Sequence, residues 1–224
     1  MGWHLRKAAG PLGRAAQDMR LFLERGYGRD RVITLVGDRW ELSADDRHIL
    51  RRAVFSPDTA ATRRAKLLAA GDLAGRVVAV DGHNVIITLE TALAGGRLVL
   101  ADDRLVRDIS GVGRHHRPGE NTRRAARLML EFLSHLGVKE VRVYLDQPLP
   151  QSGELAAELR GMISDLALAG TAATAPVPED FLLAHAGPVA SADSAVVDAV
   201  DMPVDLAGLV LAILDPPPTL ESLP

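Results

Sequence analysis

The sequence predicts an α/β fold: a small N-terminal helical domain followed by a mostly parallel sheet flanked by helices. Three observations predict it. The first seventy residues carry apolar positions at helical spacing, broken by glycines and capping residues. Beyond residue 76, short β-branched runs alternate with amphipathic segments, the pattern of a sheet built from crossover units. Three of those runs lead to an aspartate. The expected divisions are 1–74 for a basic helical domain, 75–213 for the α/β domain and 214–224 for a proline-rich tail, expected to be disordered.

In the front part, RAAQDMRLFLERG places Ala15, Met19, Leu21 and Leu23 on a rough stripe, and Gly26 ends it. Asp30 is the expected cap of RVITLVGDR. LSADDRHILRRAVF has Ser43 as N-cap, acids in its first turn and arginines in its last, which suits the helix dipole. SPDTAATRRAKLLAAG reads as a short helix ending at Gly71, and GDLAG is the expected boundary. Several short helices with tight turns fit a helix-turn-helix-like bundle or a plain helical cap.

In the second part, RVVAVD is too short and β-branched for a helix and reads as a strand buried on both faces. NVIITLETALAGG follows as a helix, RLVLAD as a strand and ADDRLVRD as a hairpin or loop. ENTRRAARLMLEFLSHLG is the clearest helix, with Asn121 as its expected N-cap. KEVRVYLD is a strand ending at Asp146. A helix (SGELAAELRGMISDLALAG), a strand (TAATAPV) and a short helix (EDFLLAHAG) come next. PVASAD is a strand ending at Asp193, followed by the helix SAVVDAV and the segment PVDLAGLVLAIL.

Composition narrows the chemistry. Cysteine is absent, which excludes disulfides, thiolate zinc sites and cysteine nucleophiles. Aromatics are only 4% of the chain, so the core must be Ala, Val and Leu. No apolar run approaches the roughly 18 residues of a membrane span, and the start lacks the apolar core of a signal peptide, so a cytoplasmic protein is expected. Charge is uneven. Residues 1–76 hold 15 Lys/Arg against 9 Asp/Glu, a net of +6, and the remaining 11 and 20 give −9. The asymmetry suggests a front that holds a polyanion and a back that gathers cations, or simply solvated helix faces.

In a parallel sheet, function concentrates at the carboxyl ends of the strands. Asp81, Asp146 and Asp193 end VVAVD, VRVYLD and VASAD. Each alone is an ordinary turn or cap residue. Together at one edge they would repel, raising their pKa values unless a cation is present. Hard oxygen donors in a partly open cluster suit Mg²⁺ or Mn²⁺. Asp180, with Glu179 second, is the candidate for a fourth acid. Asn84 is placed to orient water or phosphate, Ser191 to cap the helix after Asp193, and His83 reads as a packed or solvated neighbour. The adjacent Asp102 and Asp103 read as turn chemistry. GVGRHHRPGENTRR is basic and glycine-bounded, and its Arg114, Arg117, Arg123 and Arg124 are candidate contacts to a nucleic-acid backbone, or a solvated loop. Dinucleotide, Walker, G-x-S-x-G and H-E-x-x-H signatures are absent.

These residues carry a resemblance. Asp81-Gly82-His83-Asn84, the strand end at Asp146 and Ser191-Ala192-Asp193 resemble the motifs of PIN-like metal-dependent ribonucleases, especially the NYN branch, over residues 77–212. The whole chain, about 12–210, also resembles the domain of unknown function 434 family, through RGYGRDRVITLVGDRWELSADDRHILRR and VAVDGHNV. The PIN-like resemblance implies a Mg²⁺- or Mn²⁺-dependent ribonuclease in which Asp81, Asp146 and Asp193 hold metal and Asp180 and Asn84 assist. Two departures stand against it. Ala195 occupies a position where many NYN members carry an acid, and the mid-fold acid has no certain counterpart. RNA is the expected partner and no membrane is expected; self-association stays open. A PIN-like module that binds RNA or protein without cutting is the alternative reading, and a small-molecule phosphohydrolase is the third.

Overall fold

The computed structural model of the chain describes residues 4–109 and 117–224. Four helices follow a short first strand, β1 (His4–Lys7): α1 (Gly10–Glu24), α2 (Arg29–Arg39), α3 (Ala44–Ala53) and α4 (Pro57–Lys66). The expected caps hold at α3, where Ser43 Oγ accepts from the Asp46 N–H at 3.1 Å, and Ser56 does the same for α4. Asp30 does not cap α2. Gly28 holds that position, and the Asp30 carboxylate instead meets Arg51 at 2.6 Å. The last front helix stops at Lys66, short of Gly71, and a 3-10 turn (Ala70–Leu73) leads into the second part.

That part contains a fully parallel sheet in the order β6-β5-β2-β7-β8, with β2 (Val77–Asp81), β5 (Glu140–Asp146), β6 (Gly170–Ala175), β7 (Val189–Ala190) and β8 (Pro203–Val204). The chain adds strands outward from β2 in one direction, then returns to add β7 and β8 on the other side. The order therefore reverses beside β2, and a crevice opens where the connections diverge. Helices α5 (Gly82–Leu93), α6 (Glu120–His135), α7 (Ser152–Asp165), α8 (Pro178–Leu183), α9 (Ser194–Ala199) and α10 (Leu206–Leu211) link and cover the strands. As expected, β2 is buried on both faces. Val78 and Val80 join the main core with α5, α6 and α7, while Ala79 packs with Leu182, Val189, Val196 and Val200. Strand β5 instead alternates, with Val141, Val143 and Leu145 buried and Arg142, Tyr144 and Asp146 half-buried on the opposite face.

Helix α6 starts from Gly119, not Asn121, because the Thr122 hydroxyl reaches back to accept from the Gly119 N–H at 2.8 Å. The segment RLVLAD does form a strand, β3 (Leu98–Leu100), but in a second sheet. It pairs antiparallel with β4 (Val106–Asp108), and the sheet order is β1-β9-β3-β4. Its fourth member, β9 (Thr219–Ser222), corrects the expectation of a disordered tail. Leu220 is fully buried, and Glu221 is clasped by Arg97 at 2.7 and 3.1 Å and by Arg6 at 2.9 Å. Proline-rich composition concealed a strand whose partners, β1 and β3, lie far away in sequence.

The charge asymmetry has a structural cause. Arg20 forks onto Asp102 at 2.7 and 2.9 Å, Arg52 meets Asp108 at 3.1 Å, and Arg63 meets Asp103 at 2.9 Å and Asp198 at 2.7 Å. Basic residues of the front helices thus neutralise acids of the second part across a shared boundary. The helical core is likewise shared, since Val99 and Ala101 pack with Met19, Val36 and Leu50.

Candidate functional site

The turn from β2 into α5 is immediate. Asp81 ends the strand and is also the N-cap of α5, its Oδ1 accepting weakly from the Asn84 N–H at 3.4 Å. Such a short turn presses Gly82 onto β5. A Cβ there would stand 2.6 Å from Leu145 Cδ2 and 2.8 Å from Val143 Cγ1, so no larger residue fits without displacement. The glycine between Asp81 and His83 is a packing requirement.

Register brings the acids to one edge. Asp81 pairs with Tyr144 on β5, and Val80 pairs with Ala190 on β7. Asp146 therefore lies two residues beyond the level of Asp81 on β5, one strand spacing of about 4.8 Å to the side, and Asp193 follows β7 on the opposite side. Strand β7 is shorter than expected and ends at Ala190, so Asp193 follows it as the N-cap of α9. Asp193 Oδ1 accepts from the N–H groups of Ala195 and Val196 at 2.8 and 3.3 Å.

Ser191 ties the two sides together. Its Oγ donates to Asp81 Oδ2 at 2.8 Å and accepts from the Asp193 N–H at 3.1 Å. Asn84, expected to orient water or phosphate, has its Oδ1 engaged by the Ala192 N–H at 2.8 Å. Arg107 Nε donates to the carbonyl of the same Ala192 at 2.9 Å. The Ser191–Asp193 segment is thus fastened from both sides.

His83 is more than a neighbour. It is buried, and its Nδ1 stands 2.9 Å from both Asp146 Oδ2 and the Asp146 backbone nitrogen. With the proton on Nδ1 the ring donates to the carboxylate; without it, the ring accepts from the N–H. The hydrogen bond from His83, opposed by burial, holds the Asp146 carboxyl below its ordinary value. Asp81 goes the other way. Burial pushes its carboxyl up to about 7 against the pull of Ser191 and the Asn84 N–H, and the charges of Asp146 and Asp193 add to the rise.

The remaining expected residues spread out. Asp180 is exposed in the first turn of α8. Arg114 lies outside the described residues. Arg117 and Arg124 are exposed, while Arg123 forks onto Glu158 at 2.7 and 2.9 Å. Asp198, the acid after Ala195, is claimed by Arg63. Among the described residues, no three His, Asp or Glu side chains stand ready as a metal cage.

Asp103 lies in a turn as expected, its Oδ1 accepting from the Leu105 N–H at 3.3 Å, but its ion pairs were not anticipated. It is fully buried and receives a two-pronged bond from Arg107 at 2.7 and 2.8 Å, plus Arg63. The spacing of Asp103 and Arg107, four residues apart, was the available signal. Phe55 packs among the guanidinium groups of Arg63, Arg29 and Arg107, at 4.2, 4.6 and 5.1 Å.

A family described as a domain of unknown function, DUF5616, matches residues 70–209, more than half of the chain. The chain belongs to the DUF5616 family. Ahead of this DUF5616 region, a second family, a protein of unknown function described as DUF434, matches residues 11–66. The DUF434 likeness is thus confined to the front helices and does not run on to about residue 210 as expected. An uncharacterized protein of Methanocaldococcus jannaschii is 32% identical over 157 residues, covering 70% of this DUF5616 chain and 75% of that protein. No solved structure matches. Among the described residues, no helix is long and apolar enough to cross a membrane.

Proposed function

We propose that residues 75–213 are a PIN-like domain acting as a metal-assisted phosphodiesterase on RNA. The observation that carries this reading is the position of Asp81. It ends the central strand where the strand order reverses, with Asp146 at the end of β5 on one side and Asp193, the cap of α9, after β7 on the other.

The donor set fits a hard divalent cation in chemistry and charge. The oxygens are carboxylates, and the Asp81 carboxyl is raised in part by the charges of Asp146 and Asp193, a repulsion that a cation would relieve. Mg²⁺ takes one or two carboxylates and keeps several waters, so a preformed three-acid cage is not required. Asp81, Asp146 and Asp193 would hold the ion, and Asp180, exposed in the first turn of α8, is the candidate to assist. A bound Mg²⁺ or Mn²⁺ supplies an acidified water and neutralises phosphate oxygens. The chain's own residues do the rest. Ser191 fixes the Asp81 carboxylate, Asn84 and Arg107 hold the backbone that carries Asp193, and His83 orients Asp146 and offers a proton position at Nδ1.

Incubation of the purified protein with single-stranded RNA and Mn²⁺ tests the reading. Cleavage is expected from the natural chain and is expected to fall at least a hundredfold in Asp81→Asn/Asp193→Asn. Equal cleavage by both, or by neither across varied RNAs, would reject it. A second reading, a PIN-like module that binds without cutting, is favoured by the absence of a ready three-acid cage among the described residues. RNA binding without metal-dependent turnover would select it.

A further inference from the structure

Strand β5 carries a strip on its half-buried face. Arg142, Tyr144 and Asp146 follow one another at alternate positions, while the residues between them enter the core. Alternate residues of a strand are about 6.8 Å apart, so cation, aromatic ring and acid succeed one another over about 14 Å. The Phe181 ring of α8 stacks on Tyr144, with ring centroids 5.1 Å apart and planes 17° apart. Phe181 is 50% exposed, which is unusual for a large aromatic in a chain so poor in them.

At the cationic end of the strip lies a groove of about 680 Å³. Arg76, Lys139, Arg142, Tyr144, Phe181 and His185 line it, and among the described residues no aspartate or glutamate does. Arg142 is partly neutralised by Glu140 at 2.6 Å, and His185 Nε2 is 3.0 Å from the Val77 carbonyl oxygen. Arg76 and Lys139 are exposed cations. At the other end of the strip stands Asp146, beside Asp81.

We propose that this strip is a binding track for single-stranded nucleic acid. Phosphates lie against Arg76 and Lys139, an unpaired base stacks on the open side of Phe181, and the backbone leads along β5 toward Asp146. Exposed aromatic rings beside cations are the means by which proteins hold unpaired bases without reading sequence. A duplex offers no free base face to Phe181, which is why the track selects single strands. This deepens the proposed function, and rests on it only for what happens to the strand once bound.

Fluorescence anisotropy with a labelled short oligouridine, in EDTA so that no metal-dependent cleavage intervenes, reads the binding alone. The natural chain is expected to bind. Phe181→Ala is expected to weaken binding about tenfold, with Phe181→Tyr restoring it. Arg76→Ala and Lys139→Ala should each flatten the dependence of log K on log salt by about 0.7. The proposal is overturned if the groove variants bind like the natural chain, if nothing binds at low salt, or if duplex RNA or polyglutamate competes equally well. Track-dependent binding with no Mn²⁺-dependent cleavage would leave the track standing and remove the phosphodiesterase. Cleavage indifferent to the groove variants would do the reverse.

Discussion

Arg107 Nε donates to the Ala192 carbonyl oxygen at 2.9 Å, joining residues 85 positions apart. The arginine is 1% exposed, and its other two nitrogens are fastened to the fully buried Asp103. A buried guanidinium with every edge engaged fixes the Ser191–Asp193 segment from behind. That segment carries both the hydroxyl that contacts Asp81 and the third strand-edge acid.

Replacing Arg107 should therefore cost both stability and site geometry. Arg107→Met leaves Asp103 with Arg63 and the Leu105 N–H and is expected to lose about 3 kcal/mol, measured by urea unfolding, since breaking a buried pair strands its partner. Arg107→Lys should recover little, because an ammonium cannot fork onto Asp103 and reach Ala192 together. Arg107→Met/Asp103→Asn should lose less than the two single changes added. Strict additivity would show that the pair is not coupled.

Asp81 gives the fold a pH dependence of known sign. Its folded carboxyl is raised to about 7, and Asp205, half-buried and accepting from the Val106 and Gly208 N–H groups, is raised to about 6. In both cases burial is the main cause. The folded state holds these protons to higher pH than the unfolded chain does, so the metal-free protein loses stability as pH climbs from about 4 to about 7. Asp81→Asn cannot ionise. It should match the natural chain at about pH 4 and below and exceed it by about 1–2 kcal/mol at pH 8, the gain limited because Asp81 is only half-buried. A constant difference between the two across that range would contradict the assignment.

Gly82→Ala tests the close approach of α5 to β5. The added methyl would meet Leu145 Cδ2, Val143 Cγ1 and the Tyr144 carbonyl oxygen, at 2.6, 2.8 and 3.0 Å. Helix propensity favours alanine by up to about 1 kcal/mol, but overpacking costs about 1–3 kcal/mol and should win. A thermal melt at or above that of the natural chain would show that the contact yields more easily than the backbone suggests.

Asp81 and Asp146 were legible because each ends a β-branched run, which local pattern alone marks as a strand, whereas Asp193 follows Val-Ala-Ser-Ala and lies three residues past the end of β7. The links that organise them were not legible. His83 meets Asp146 across 63 residues and Arg107 meets Ala192 across 85, and no periodicity encodes contacts of that range. Charge was legible as an imbalance but not as a cause. The excess of arginine in the front helices pointed toward a polyanion, yet Arg20, Arg52 and Arg63 hold Asp102, Asp108, Asp103 and Asp198 of the same chain. Asp102 and Asp103 do lie in the expected turn, and are also among the acids they hold.

The C-terminal segment offers the sharpest test of the second sheet. Strand β9 lies between β1 and β3, pairing with both in parallel. Removing residues 216–224 would empty that middle position, expose the apolar site of Leu220 and leave Arg97 without Glu221. Burial of one leucine is worth about 1.5–3 kcal/mol, so the shortened chain should melt well below the full one. It would also present unpaired strand edges on β1 and β3, which template association between chains. Sedimentation should then show concentration-dependent self-association absent from the full chain. Leu220→Ala separates the two effects, because it removes the apolar contact but keeps the ladder. That variant should melt lower and stay as dispersed as the parent. If the truncated chain melts like the full one, β9 contributes no stability and the second sheet stands without its middle strand.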